Sequence, residues 1–531
     1  MSKATNTVQP VIVFTNGRII TMDPMRGRAE AIVVEDGHIT AVGDGSIAKA
    51  YGDAEIVDLQ GRTLLPAFID PHNHLSFGCF TPGWAKLDGL PNRTAVLGAI
   101  QEHAKVHPDK GWIIGFPWID AETGGVTLTR ADLDEACPDR PVLLIHGTFH
   151  KAVANSEALR LAGVDRYYHN TRNGKALRDV TGEPTGVLLE TAMAPAFKLA
   201  MAPTTAEYAD LIEARAREFL AYGITAVGDP GVTSAAEEAY RYLHSRSRLP
   251  VSVLMMPHGE TLLDNQLGSR LDGPVTGTGD TLLRVGPVKL FADGGVQSTA
   301  AFAGVIMGTR QTLGLPRDDF EAELIRATER RFRVCAHSLG NGSTEALITA
   351  FEKAAQRAPA GFELRPRIDH LFLTSEEQIR RFAALGGCAA VQPHFVTRSA
   401  RLIQVPFEGF QWFAFDTMAK EGMVVATGSD NPCFGSDFAI QPLKCAALGA
   451  SLSGGPGNVL VAEDASPFEQ WLWMYTAGAA YVSGLEHERG MLKPGMVADL
   501  VVLDGVFEPK NPPAVAETWK AGARVYQRQT K

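Results

Sequence analysis

Two histidines separated by one residue, His72 and His74, are the first side chains whose types and spacing suggest chemistry. Residues i and i+2 of an extended strand face the same side, roughly 6 to 7 Å apart, so both imidazoles can reach one point. The mostly apolar run 64–69 precedes them and is typical of a buried strand. We therefore predict a metal site at the carboxyl end of this strand, where barrel and open-sheet proteins place their chemistry.

Further candidate metal ligands follow apolar runs later in the chain: Lys289 in VKLFADGG, His337 in RVCAHS, His370 in RIDHLFL and Asp430 in VVATGSD. Taken singly, each histidine is better explained as a hydrogen-bonded core or surface residue than as a metal ligand. Lys289 is explained as well by a buried amine paired with Asp293 as by a metal-bridging role. Together these residues favour a shared metal, because strand ends converge at the axis of a barrel.

These residues require an ordered set of strands to bring them together. Between residues 66 and 485, short apolar strands alternate with helical patterns such as 205–222, which predicts an α/β fold. The number of strands indicates a closed (β/α)8 TIM-like barrel, although the periodicity of the sequence alone does not exclude an open sheet. The eight strands are expected to end at His74, Asp229, Pro257, Asp293, His337, His370, His394 and Asp430.

Two segments lie outside the regular βα repeat. The interval after the first strand is too long for one βα unit, so we expect an insertion at about 80–202 near the barrel mouth. Its rings Trp112, Phe116, Trp118, His146 and Phe149 could wall a substrate pocket or form the core of the insertion. The β-rich segments 1–65 and 486–531 are each too small for a core. They are expected to pair as one composite β-sandwich domain.

Bulk composition excludes several classes of protein. The net charge of −10 and the absence of a concentrated basic block argue against binding to nucleic acid or an anionic membrane. No signal peptide or membrane span is predicted, so we expect a cytoplasmic enzyme, with a homo-oligomer left open. The six cysteines are scattered without C-x-x-C spacing, which favours reduced thiols.

Ordered motifs along nearly the whole chain resemble the amidohydrolase superfamily, in particular its YtcJ-like or amidohydrolase-3 branch, which includes N-substituted formamide deformylases. The motifs are NGRIITMDP, VVEDGHITAVGD, HNH, GWIIGFPWID, EPTGVLLE, VKLFADGG, GSD and GMLKPGMVADLVVLD. Ala67 departs from the glycine usual before the histidines. The resemblance implies a metal-dependent barrel hydrolase with a small composite β-domain.

The resemblance also implies roles for individual residues. His72, His74, His337, His370 and Asp430 are implied as metal ligands or catalytic groups, and Lys289 matches a lysine that is carbamylated in two-metal members. Glu190, in GVLLE, is interpreted either as a carboxylate contacting metal or substrate, or as a helix cap.

The predicted reaction is hydrolysis of a carbon–nitrogen bond in a non-peptide amide, whether N-formyl, N-acyl or cyclic, by water activated on one or two divalent ions, with zinc preferred. Asp430 would carry protons, and His370 or His394 would contact the oxyanion. Substrate contacts are assigned to Trp118, His146 and Glu190. A deaminase of a cyclic amidine is an alternative, although no convincing H-x-x-E follows the late strands. A non-catalytic metal-binding barrel is the third.

Overall fold

Eight parallel strands in chain order form the centre of the computed structural model, which describes residues 10–261, 263–296, 299–399, 404–435, 437–453 and 464–529. Strands one to three pair as one parallel sheet, extended by Leu283–Val285, and strands four to eight pair as another. In order, the strands span Phe68–Asp70, Ile224–Val232, Ser252–Pro257, Val288–Phe291, Val334–Ser338, Arg367–His370, Cys388–Val391 and Val424–Thr427.

Hydrogen bonds across both seams close the two sheets into a ring. Between the eighth and first strands, the backbone N–H of Ser429 donates to Asp70 Oδ1 (2.9 Å), and that of Asp430 donates to the His72 carbonyl (2.7 Å). Between the third and fourth strands, His258 Nδ1 donates to the Lys289 carbonyl (2.9 Å). The first and eighth strands, which lie at opposite ends of the central domain in sequence, are therefore neighbours in the ring.

The predicted ends of the first, second, seventh and eighth strands are wrong by three or four residues, since these strands stop at Asp70, Val232, Val391 and Thr427. The seventh strand stops at Val391, and His394 lies in the first turn of the helix Pro393–Arg398. Proline has no N–H to give to a sheet and is pre-shaped for the first turn of a helix, so the chain turns away at Pro393.

Helices surround the ring, and several of them begin at a side chain that caps the first turn. The predicted helix over 205–222 spans Thr205–Phe219 and starts with a capping box, in which Glu207 Oε2 accepts from the Thr204 N–H at 2.8 Å. The other helices of the central domain are Leu75–Gly78, Ser234–His244, Phe320–Glu329, Asn341–Ala355, Glu376–Ala384, Phe415–Lys420, Pro442–Ser453, Pro467–Trp473 and Ala477–Ser483. Phe302–Ile306 and Thr309–Leu313 form a hairpin, and Leu373–Thr374 pairs with Gln411–Trp412.

The two terminal segments share one sheet of eight strands. Val502 pairs with Leu64, and Phe14 meets Trp519 edge to face at 5.0 Å, so each end supplies part of one core. The sheet is continuous, and the two-layered β-sandwich stays a prediction. Its strands are Ile12–Ile20, Arg28–Glu35, His38–Gly43, Glu55–Asp58, Thr63–Pro66, Leu500–Asp504, Ala514–Lys520 and Ala523–Gln527, with a short helix at Ser46–Lys49.

The segment after the first barrel strand folds around its own six-stranded mixed sheet and its own apolar core. The segment overlaps the range of about 80–202 predicted as an insertion, and the bounds of that insertion stay a prediction. The strands are Ala85–Lys86, Ile113–Trp118, Val142–His146, Lys151–Ala154, Gly174–Arg178 and Pro184–Glu190, and the helices are Arg93–Val106, Arg130–Ala136, Ser156–Ala162 and Ala194–Ala200.

Among the described helices, none combines the length and apolar character needed to span a membrane. All six cysteines are buried free thiols.

Candidate active site

His72, His74 and Asp430 meet at the carboxyl ends of the first and eighth barrel strands. One donor atom from each residue lies within 4.8 Å of the other two. The Nε2 atoms of both histidines are 3.0 Å from Asp430 Oδ1. The H-x-H pair and the aspartate therefore form the three-ligand cluster expected from their strand positions.

The remaining ring nitrogens of these histidines are fixed by the barrel. His72 Nδ1 donates to Asp369 Oδ2, and His74 Nδ1 donates to the Pro230 carbonyl, each at 2.7 Å. Such contacts set the tautomer and direct Nε2 toward a metal. His72 Nε2 is buried and makes no well-aligned hydrogen bond, although Asp430 Oδ1 is only 3.0 Å away. His74 Nε2 is hydrogen-bonded to the same oxygen at 3.0 Å, so two imidazole nitrogens and one carboxylate oxygen converge where a divalent cation could be shared.

The charged groups around the cluster shift the pKa values of its members. Burial alone would lower the pKa of His72, but Asp369 and Asp430 raise it above its ordinary value, so a bound metal would displace a proton there. Burial alone would raise the pKa of Asp430, but the His72, His74 and His370 rings outweigh it and hold that pKa well below its usual range. Burial lowers the pKa of His370 to about 3 and that of His258 to about 4. An ionised carboxylate and neutral imidazoles are the forms that bind divalent metals.

His370 and His337 continue the line of rings away from His72. The His370 ring centroid lies 4.9 Å from that of His72 and 4.7 Å from that of His337. His370 Nδ1 donates to Gln392 Oε1 at 2.7 Å, so its Nε2 keeps a lone pair for a ligand role. His337 Nε2 is buried without a hydrogen bond, and burial lowers its pKa well below the ordinary value.

Lys289 is buried, but its partner differs from the one considered from sequence. Its Nζ lies 3.1 Å from Asp369 Oδ2 rather than beside Asp293. Asp293 is already engaged, because its carboxylate accepts from the backbone N–H groups of Leu339 and Gly340 and from Ser343 Oγ. The pairing with Asp293 is therefore wrong.

Asp369 is the functional residue that sequence reasoning missed. Its Oδ2 accepts from His72 Nδ1, Lys289 Nζ and Cys335 Sγ, and its Oδ1 accepts from Arg367 Nε at 2.8 Å. Burial would raise the pKa of Asp369, but Arg367 and Lys289 hold it well below the usual range. The available signal was Arg367 and Asp369 at i and i+2 in a strand otherwise expected to be apolar.

A cavity of about 890 Å³ opens above the cluster. Its polar floor consists of His72, His74, His258, Lys289, His337, His370 and Asp430. Its walls are largely aromatic and include Phe77, Phe80, Phe149, Phe197, Phe291, Phe372, Phe395 and Phe434. A cavity with a polar floor and aromatic walls suits a small molecule that has a polar reacting group and an apolar substituent.

The predicted substrate-contact residues are not gathered around this cavity. Trp118 and His146 are fully buried in the insertion, where their rings meet edge to face at 5.8 Å and Trp118 Nε1 donates to Thr123 Oγ1. Glu190 does not line the cavity itself but is hydrogen-bonded to His150, which does. His150 was not predicted from the sequence. His394 is buried next to the Phe395 ring and is not among the described lining residues.

Trp118 and Phe149 give a test of which aromatic residues touch the substrate. Trp118→Ala should lower the free energy of unfolding by about 3–5 kcal/mol, because it leaves a cavity in the insertion core. Phe149→Ala removes a wall of the substrate cavity and should alter relative kcat/KM across an amide panel. Thermal melts and the panel on both variants check this. A reshuffled preference in Trp118→Ala with Phe149→Ala unchanged would contradict the assignment.

A ring of parallel strands with a His-His-Asp cluster at their carboxyl ends defines the class of metal-dependent barrel hydrolases. The chain belongs to the amidohydrolase family, whose sequence model matches residues 55–526. It is 28% identical over 515 residues to the N-substituted formamide deformylase of Arthrobacter pascens, covering 93% of each chain. It is 29% identical over 521 residues to YtcJ of Bacillus subtilis, provisionally named an amidohydrolase, covering 93% of this chain and 94% of YtcJ.

A solved structure of a metal-dependent hydrolase from Pyrococcus horikoshii has the same fold, with a TM-score of 0.72 at 24% identity, covering 93% of this chain and 98% of the other. The resemblance to the YtcJ-like branch is confirmed. The protein is a hydrolase that acts on carbon–nitrogen bonds of a small-molecule substrate and has a site for a divalent metal.

Proposed function

We propose that the protein hydrolyses a non-peptide amide, of N-formyl or N-acyl type, that carries an apolar substituent. The observation that supports this is the His72–His74–Asp430 cluster on the floor of an aromatic-walled cavity. The similarity to an N-substituted formamide deformylase points to the same class of substrate.

His72, His74 and Asp430 would hold the metal, which we propose is zinc, because imidazole nitrogens with one carboxylate oxygen suit that ion. A divalent metal in this position supplies a water whose pKa is lowered to about 7 and polarises the scissile carbonyl.

The residues of the chain perform the remaining steps. Asp430 stays ionised, so its carboxylate can accept the proton of the attacking water and deliver it to the departing nitrogen. The Nδ1–H of His370 donates to Gln392, which leaves a lone pair on Nε2. This ring is therefore better suited to hold metal than to donate to an oxyanion. His394, the other residue considered for contact with the oxyanion, is buried and does not line the described cavity, so we do not assign it that contact.

A hydrolase screen on protein of measured metal content tests this function. N-formyl or N-acyl amides with phenylalkyl substituents should be cleaved to acid and amine, and cyclic amides, which would open to a single amino acid, serve as the comparison. Activity should disappear with a chelator and return with zinc. Release of ammonia from cyclic amidines, with no amide cleaved, would instead identify a deaminase.

Lys289 allows a separate prediction about a second metal. If its amine is carbamylated, the modified group offers two oxygens to two metals, and Lys289→Ala should lose one metal per chain with a roughly 10- to 100-fold loss of activity. Short carboxylic acids should restore part of that activity. Intact mass and metal analysis of wild-type protein provide the check. An unmodified amine in active, fully metallated enzyme would show that Lys289 acts only as the partner of Asp369.

A further inference from the structure

The insertion contributes a paired histidine and glutamate to the cavity. His150 Nδ1 donates to Glu190 Oε2 at 2.8 Å, and both side chains are almost completely buried. His150 lines the cavity, and its ring centroid lies 5.1 Å from that of His337. The line of rings that starts at the metal cluster therefore ends on a residue from outside the barrel.

The barrel is shaped to receive this pair. Glu190 Oε1 accepts from the Gly295 N–H and from Thr299 Oγ1, both at 3.2 Å, in the loop after the fourth strand. A Cβ added at Gly294 would lie 2.2 Å from Glu190 Oε1, and one at Gly295 would lie 2.6 Å from His150 Cβ. Side chains at these two positions would exclude the pair.

The backbone at Glu190 is also adapted to this arrangement. Its φ is +51°, a left-handed conformation that non-glycine residues adopt at a cost of order 1–3 kcal/mol. The carboxylate of this strained residue accepts hydrogen bonds from His150, Gly295 and Thr299, so its direction is fixed beside a residue that lines the cavity.

The pairing fixes what His150 can offer to a ligand. The tautomer that carries its hydrogen on Nδ1 and donates it to Glu190 presents Nε2 as a hydrogen-bond acceptor. A neutral amide has one kind of donor for such an acceptor, the N–H on its nitrogen. An N,N-disubstituted amide has none, and it would leave a buried polar atom unpaired, at a cost of about 1–3 kcal/mol.

We propose that His150, positioned by Glu190, accepts a hydrogen bond from the substrate N–H and so selects secondary amides over N,N-disubstituted ones. This inference rests on the proposed amide hydrolase function. It adds a specificity-determining residue from the insertion to a reaction centre built by the barrel.

Metal-loaded protein and two probes, N-(2-phenylethyl)formamide and its N-methyl derivative, test the proposal. Calorimetry and kcat/KM should both favour the N–H probe by at least about tenfold in wild type. Glu190→Gln keeps the shape but places an amide NH2 against Nδ1, which reverses the tautomer and turns Nε2 into a donor. The preference for the N–H probe should then fall to about twofold or less.

His150→Phe and His150→Gln provide the second comparison. Phenylalanine should abolish the preference, whereas the side-chain carbonyl of glutamine should retain part of it, a contrast that a purely structural role would not produce. Equal losses for both probes in all three variants would overturn the inference while leaving amide hydrolysis standing. Absence of hydrolysis in wild type, with the N–H preference in binding intact, would overturn the proposed function instead.

Discussion

His72→Ala/His74→Ala should strip the protein of its metal and reduce kcat/KM at least about 10⁴-fold. The double substitution removes two of three clustered ligands, and Asp430 with the nearby His370 should not hold a divalent ion firmly. Without the metal, the attacking water returns from a pKa of about 7 to its bulk value near 15.7. Metal content and kcat/KM are measured on the same preparation.

A second close histidine pair gives a matched control. His103 and His107 lie on the insertion with ring centroids 4.5 Å apart and do not contribute to the described cavity lining. His103→Ala/His107→Ala should keep full metal and activity. Full metal occupancy after loss of His72 and His74 would place the metal elsewhere and remove the basis of the proposed chemistry.

Asp430→Asn should keep much of the metal while kcat falls by about 10²- to 10⁴-fold, the usual consequence of losing an acid–base group. Asparagine preserves the size of the side chain and one oxygen donor but cannot take a proton. The main chain at this residue is anchored, because its N–H donates to the His72 carbonyl at 2.7 Å. The substituted side chain should therefore stay in place.

The comparison that decides this prediction is metal content against kcat for the single variant. Retained metal with lost turnover supports proton transfer by Asp430. Near wild-type turnover would move the proton to another group, and His394→Gln would be the next variant to measure. Loss of both metal and turnover would limit Asp430 to a ligand role.

The order of the barrel strands and the meeting of three side chains at their ends could be predicted from the sequence, because both depend on local patterns. An apolar run followed by His or Asp marks a strand and its end together, which is why His72, His74 and Asp430 could be predicted to meet. The apolar run before His394 predicts a strand that ends there, but Pro393 begins a helix and the strand stops at Val391.

Contacts between distant segments could not be predicted in this way. Asp369 meets His72 across 297 positions and Lys289 across 80, and no local pattern encodes either separation. The same holds for His150, whose relation to Glu190 depends on how the insertion folds onto the barrel. Trp118 and His146 were equally compatible with a pocket wall or a core, and only packing separates the two.

The seam between the first and eighth strands has a consequence for biosynthesis. His74 precedes its partner Asp430 by 356 positions. At about 5–20 residues per second, a ribosome needs roughly 20–70 seconds to reach the aspartate after making the histidines. A nascent chain therefore carries only part of the ligand set for most of its synthesis, and stable metal capture belongs to the finished, ring-closed chain. Nascent chains arrested before residue 430 should bind zinc far more weakly than released protein.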